Sequence, residues 1–83
     1  MKTIILSPAA ARDLDSLSLE ARGQVSSALD TYAISGRGDV KKLGGRDGFR
    51  LRAGRYRVLF DEDASTILAI YIGKRETTTY RRI

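Results

Sequence analysis

The chain contains no cysteine and no histidine. That double absence removes disulfide stapling, thiolate nucleophiles, Cys/His zinc sites and imidazole acid/base chemistry at once. Any chemistry must run on Lys, Arg, Tyr, Ser, Thr and carboxylates. Long apolar runs are missing as well: the longest, Ile67–Ile72, falls far short of the roughly 20 residues needed to cross a bilayer. The opening segment Met1–Ser7 carries one positively charged side chain on an apolar run too short for a signal peptide. A cytoplasmic protein with no membrane partner is expected.

What is present reads as a small folded domain. Hydrophobic residues make up 42% and charged ones 30%, proline occurs once, and 8 glycines point to several tight turns. At 83 residues the chain is one domain over 1–83, because a second would leave each half too short to bury a core.

Charge is unevenly distributed. Residues 1–36 carry three basic side chains against four acidic ones, whereas residues 37–83 carry twelve against six, so the whole net charge of +5 arises in the second half. Eleven of the 15 basic residues are arginine, the side chain that forks onto phosphate and stacks on bases. A polyanion is the natural partner, the plain alternative being that arginine only keeps a small domain soluble.

Residues 2–6 read as a short strand. Ser7 then suits an N-cap and Pro8 the first helical position. Ala10, Leu14 and Leu17 form an apolar stripe, with Arg12, Asp13 and Asp15 on the outer side. After a break at Ser16–Ser18, Ala21, Val25, Ala28, Leu29 and Tyr32 mark a second amphipathic helix. Gly23 weakens that helix and offers a place for close approach. The two should form a helical hairpin, ended by Ser35–Asp39.

From residue 40 the period becomes two. Phe49 and Leu51 alternate with Arg50 and Arg52, Ala53–Arg55 makes a turn, and Tyr56, Val58 and Phe60 alternate with Arg57 and Leu59. Asp61–Ser65 reads as a polar turn, and Ile67–Ile72 as a central strand apolar on both sides. The expected fold is α+β: an N-terminal strand and helical hairpin packed on a twisted, mainly antiparallel sheet. Alternation places Arg50, Arg52 and Arg57 on the face away from the core. With Leu68, Ile70 and Ile72 turned inward, Ala69, Tyr71, Gly73 and Arg75 join that outer face. Four arginines converging without interleaved carboxylates suggest an anionic ligand; pairing with Asp47 or Glu76, or fanning into solvent, is the alternative.

This element order, with Val40-Lys41-Lys42-Leu43 before a Gly-rich turn, Phe49–Val58 on the hairpin, and Gly73-Lys74-Arg75-Glu76 followed by Tyr80, resembles the RelE/ParE superfamily of toxins from type II toxin–antitoxin pairs. The likeness covers nearly the whole chain. Its third signature, an arginine after the last strand plus a tyrosine a few residues on, is similar to the RelE branch, whose members cut mRNA in the ribosomal decoding site. The resemblance implies a metal-independent endoribonuclease without cofactor. Arg57 would contact the scissile phosphate. Arg75 would stabilise charge or protonate the leaving oxygen, and Tyr80 would stack on a base or help activate the nucleophile. Arg50, Arg52, Lys74, Arg81 and Arg82 would bind RNA. The implied partners are a RelB-like acidic antitoxin, the ribosome and mRNA, with operator DNA reached only through the antitoxin.

One departure from the family pattern stands out. The first family lysine falls at Gly48 and the second at Arg50, and arginine almost never deprotonates, so the general base has no assigned residue. Two other readings stay open: a ParE-like, non-nucleolytic inhibitor of DNA gyrase, and a plain RNA- or DNA-binding module.

Overall fold

The computed structural model describes residues 1–74. Two helices and five strands follow in the order β1 (Thr3–Leu6), α1 (Pro8–Asp15), α2 (Leu19–Ser35), β2 (Asp39–Lys42), β3 (Phe49–Ala53), β4 (Tyr56–Glu62) and β5 (Thr66–Lys74). The strands form one mixed sheet, β1-β5-β4-β3-β2, antiparallel except where β1 runs parallel to β5. This is the expected α+β architecture.

Local chemistry sets the boundaries. The hydroxyls of Ser7 and Ser18 accept from the amides of Ala10 and Ala21 at 3.0 and 3.2 Å, capping the two helices as their positions suggested. Gly54, at φ 61, is the first residue of the two-residue loop joining β3 to β4, where a side chain would be strained. Both helices pack on one face of the sheet, α1 over β5 and β1, α2 over β3, β4 and β1. Between these layers lie Ala10, Val25, Leu29, Leu51, Val58, Phe60, Ile67, Ala69 and Ile72. Phe60 is the largest fully buried side chain. It meets Tyr32 edge-on at 5.6 Å and stacks on Phe49 at 5.5 Å. Truncations of such residues typically cost about 3–5 kcal/mol.

Four sequence expectations are corrected. On β5, Ile67 and Ala69 face the core, while Leu68 and Ile70 are each 38% exposed on the outer face. The cause is a β-bulge: Leu59 pairs with Tyr71 but Phe60 with Ala69, so Ile70 is an extra residue and alternation shifts by one. Asp13 does not face solvent on the outer side of α1. Its Oδ2 accepts the Ile72 amide at 3.1 Å, while the Ser7 hydroxyl donates to the Ile70 carbonyl at 3.1 Å. Asp61 and Glu62 lie in β4 rather than in a turn. The turn itself is held by Asp63, whose carboxylate accepts the amides of Ser65 and Thr66, hydrogen bonds that hold its carboxyl below the usual range. Finally, Gly23 faces open space, so no close approach explains it; it costs the helix about 1 kcal/mol relative to alanine.

Glu62 ties β4 to the N-terminal segment and to α2. One carboxylate oxygen takes Lys2 Nζ at 2.7 Å and the other the Tyr32 hydroxyl at 2.8 Å. Burial, helped by the bond to Glu62, pushes the Tyr32 phenol up from 10.0 to about 12. Between those values the folded state keeps a proton that the unfolded state has lost, so stability falls as pH rises through this window. Denaturant titrations from pH 9 upward should show that decline, and Tyr32→Phe should flatten it.

Candidate functional site

The face of the sheet opposite the helices carries the basic side chains. β3 and β4 pair so that Arg52 stands directly opposite Arg57 and Arg50 opposite Leu59; β2 adds Asp39 beside Arg52 and Lys41 beside Arg50; β5 adds Gly73 beside Arg57 and Tyr71 beside Leu59. Directly opposed residues on one face have Cβ atoms about 4.5–5.5 Å apart. Two rows result. One reads Asp39, Arg52, Arg57, Gly73 and the next Lys41, Arg50, Leu59, Tyr71.

Sequence alternation thus grouped Arg50, Arg52 and Arg57 correctly on one face. It missed Lys41 and Asp39, although extending the same count to the pairing of β2 with β3 finds both. Lys74, which the resemblance assigns to RNA binding, pairs with Tyr56 of the core-facing set, so alternation turns it to the helix side, apart from the arginines. Arg75, Tyr80, Arg81 and Arg82 lie outside the described residues.

The arginines are incompletely satisfied. Arg52 is exposed, but Arg50 and Arg57 are half-buried, and Arg50 Nη1 and Arg57 Nε are buried atoms without a hydrogen-bond partner among the described residues. The sequence expectation of no interleaved carboxylates needs amending, because Asp39 and Asp61 both occupy this side of the sheet. Neither pairs with these arginines: the ion pairs among the described residues are Lys2–Glu62 and Arg22–Asp15. A buried cationic donor without a partner is costly, and an anion that accepts from it relieves that cost. Phosphate fits the donors present. A third unpartnered buried atom, Arg22 Nε, belongs to α2, and its side chain reaches Asp15 at 4.0 Å, away from this face.

Gly48, where the resemblance puts the first family lysine, has a structural reason to be glycine. Gly48 sits at φ 112, and a Cβ there would meet Asp61 Oδ1 at 3.2 Å and the Phe60 carbonyl oxygen at 3.3 Å. A lysine at this position would be strained and crowded.

With this geometry the chain resembles a set of solved structures. It matches the isolated E. coli RelE toxin with TM-score 0.72 and 21% identity, covering 99% of this chain and 93% of that one. The chain has the RelE fold. It matches a chain of the archaeal RelE–RelB complex from Pyrococcus horikoshii OT3 with TM-score 0.76 and 21% identity, over 92% and 97% of the two chains. For the RelB–RelE complex of Methanococcus jannaschii the values are 0.71 and 19%, over 95% and 98%. No family model and no curated protein matches the sequence. The RelE fold thus persists here at low identity, and the cationic face lies on the side of the sheet the helices leave open.

If Arg50 and Arg57 form an anion pocket, inorganic phosphate should stabilise the protein beyond chloride at equal ionic strength. The gain should be about 1.4 kcal/mol at ten times the Kd. Thermal melts of Arg50→Ala and Arg57→Ala should lose this increment; an equal phosphate response in parent and variants would show that the face holds no such pocket.

Proposed function

We propose that this RelE-fold chain is the toxin of a type II toxin–antitoxin pair and acts as a ribosome-dependent mRNA endoribonuclease that inhibits translation. The observation that carries the reading is the pair of unpartnered buried donors, Arg50 Nη1 and Arg57 Nε, on the open basic face. A phosphodiester supplies the acceptors they lack.

The chemistry follows from the groups available. The 2′-hydroxyl of one nucleotide attacks the adjacent phosphorus in line, the O2′–P bond forms, the P–O5′ bond breaks, and negative charge grows on the phosphoryl oxygens. Arg57, with Arg50 diagonal to it, stabilises that charge, and Arg52 and Lys41 hold the flanking backbone. Arg75 and Tyr80 are the proposed partners for the leaving oxygen and the nucleophile or a base, with Arg81 and Arg82 as further RNA contacts. The group that accepts the 2′ proton is unassigned, so positioning and electrostatics carry most of the rate, and the ribosome supplies the bent mRNA. Little activity on free RNA follows.

A RelB-like acidic antitoxin is the proposed protein partner. Two of the compared structures are toxin–antitoxin complexes, and a surplus of cationic side chains in residues 37–83 complements an acidic, partly disordered chain. One observation favours a second reading, a ParE-like block of DNA gyrase: Gly48 stands at a family lysine position, and a lysine there would be strained and crowded.

The two readings separate in translation and supercoiling assays. On programmed ribosomes the parent should cut mRNA, and Arg57→Ala or Arg75→Ala should slow cutting about a hundred- to thousand-fold, a loss of roughly 2.7–4 kcal/mol of transition-state stabilisation. Unchanged thermal stability should accompany the Arg57 loss. A parent that leaves mRNA intact and stops gyrase supercoiling would replace this reading with the second.

A further inference from the structure

Tyr71 stands on the basic face, where alternation puts it, but neither alternation nor the family pattern gives it a role. It is 40% exposed, and its hydroxyl has no hydrogen-bond partner among the described residues. Its orientation depends on the bulge. Counting in steps of two from Ile67 and Ala69 would bury residue 71, but the extra residue at Ile70 returns it to the outer face. Bulges recur beside functional sites because they re-aim one side chain in this way. The backbone on either side is fixed from α1, by Ser7 on the Ile70 carbonyl and Asp13 on the Ile72 amide.

The ring has a bed as well as a direction. It leans along β5 over Gly73, so closely that a Cβ at 73 would fall within 2.6 Å of Tyr71 Cζ. Gly73 pairs with Arg57. The phenol therefore lies about one strand spacing, roughly 4.8 Å, from the Arg57 backbone, with an open face toward solvent. Gly73 shows no left-handed φ, so the backbone does not require glycine there; the ring above it does.

We infer that Tyr71 is the platform on which one base of the single-stranded RNA stacks when the neighbouring phosphate sits on Arg50 and Arg57, and that Gly73 is the cradle that sets the ring's position. The inference rests on the RNA-cleaving reading but concerns how the strand is held, not how it is cut. An aromatic ring beside cationic groups that track a backbone is the general device for holding single strands irrespective of sequence. Tyr71 positions the base and takes no part in proton transfer.

The test is binding of a short, uncleavable 2′-O-methyl RNA to the whole protein, with inorganic phosphate as control. Tyr71→Ala should weaken the RNA about 5- to 150-fold, the range found when stacked aromatics are removed, and leave phosphate affinity unchanged. Tyr71→Phe should keep parental affinity. Gly73→Ala, which displaces the ring without removing it, should also weaken RNA binding but add nothing on top of Tyr71→Ala. Parental affinity in Tyr71→Ala, a matching loss for phosphate, or a loss of affinity only for an acidic protein partner would overturn the inference. Cleavage on ribosomes by the parent is scored separately, so the underlying reading and the role of Tyr71 fail in different assays.

Discussion

The extra residue in β5 and the two side chains that secure it are the constraint on which the outer face depends. Without Ile70 as an insertion, the strand could not bury Ile67 and Ala69 under the helices and then present Tyr71 and Gly73 beside Arg57. A bulge leaves backbone groups short of ladder partners, and here α1 supplies them through Ser7 and Asp13. The same serine that starts α1 thus also braces the strand. A helix on the covered side of the sheet fixes side chains on the open side.

The two faces divide the work. The covered face holds Phe60 and its neighbours, the Glu62 bridge to Lys2 and Tyr32, and most of the stability. The open face carries the buried nitrogens of Arg50 and Arg57 that have no hydrogen-bond partner among the described residues. It is not uniform: β2, β3 and β4 give it a cationic half, while Ile5, Leu68 and Ile70 on β1 and β5 give it an apolar half. Tyr71 stands near the junction of the two.

Signals carried by neighbouring residues were legible in the sequence. Ser7-Pro8 and Ser18 announced the helix starts, and strict alternation through Phe49–Ala53 and Tyr56–Phe60 put three arginines on one face. Signals that depend on distant partners were not. The bulge has no local mark, since Ile67–Ile72 is apolar whichever way it is counted, and so the inward set was misassigned. Asp13 looked like solvent-side polarity because its partner is 59 positions away, and Glu62 looked like a turn residue because its partners are 60 and 30 positions away.

The parallel pairing of β1 with β5 ties Thr3 to Thr66 and Leu6 to Ala69, across most of the chain. Contacts so distant in sequence raise the contact order, and their loop-closure cost falls before any reward, which slows folding. On a translating ribosome the chain emerges from its N-terminus, so β1 has no strand to join until β5 has left the tunnel. Since α1 can brace the bulge only once β5 is in place, the cationic face with its aromatic rim comes together last. A nascent chain therefore cannot complete this face until β5 has emerged.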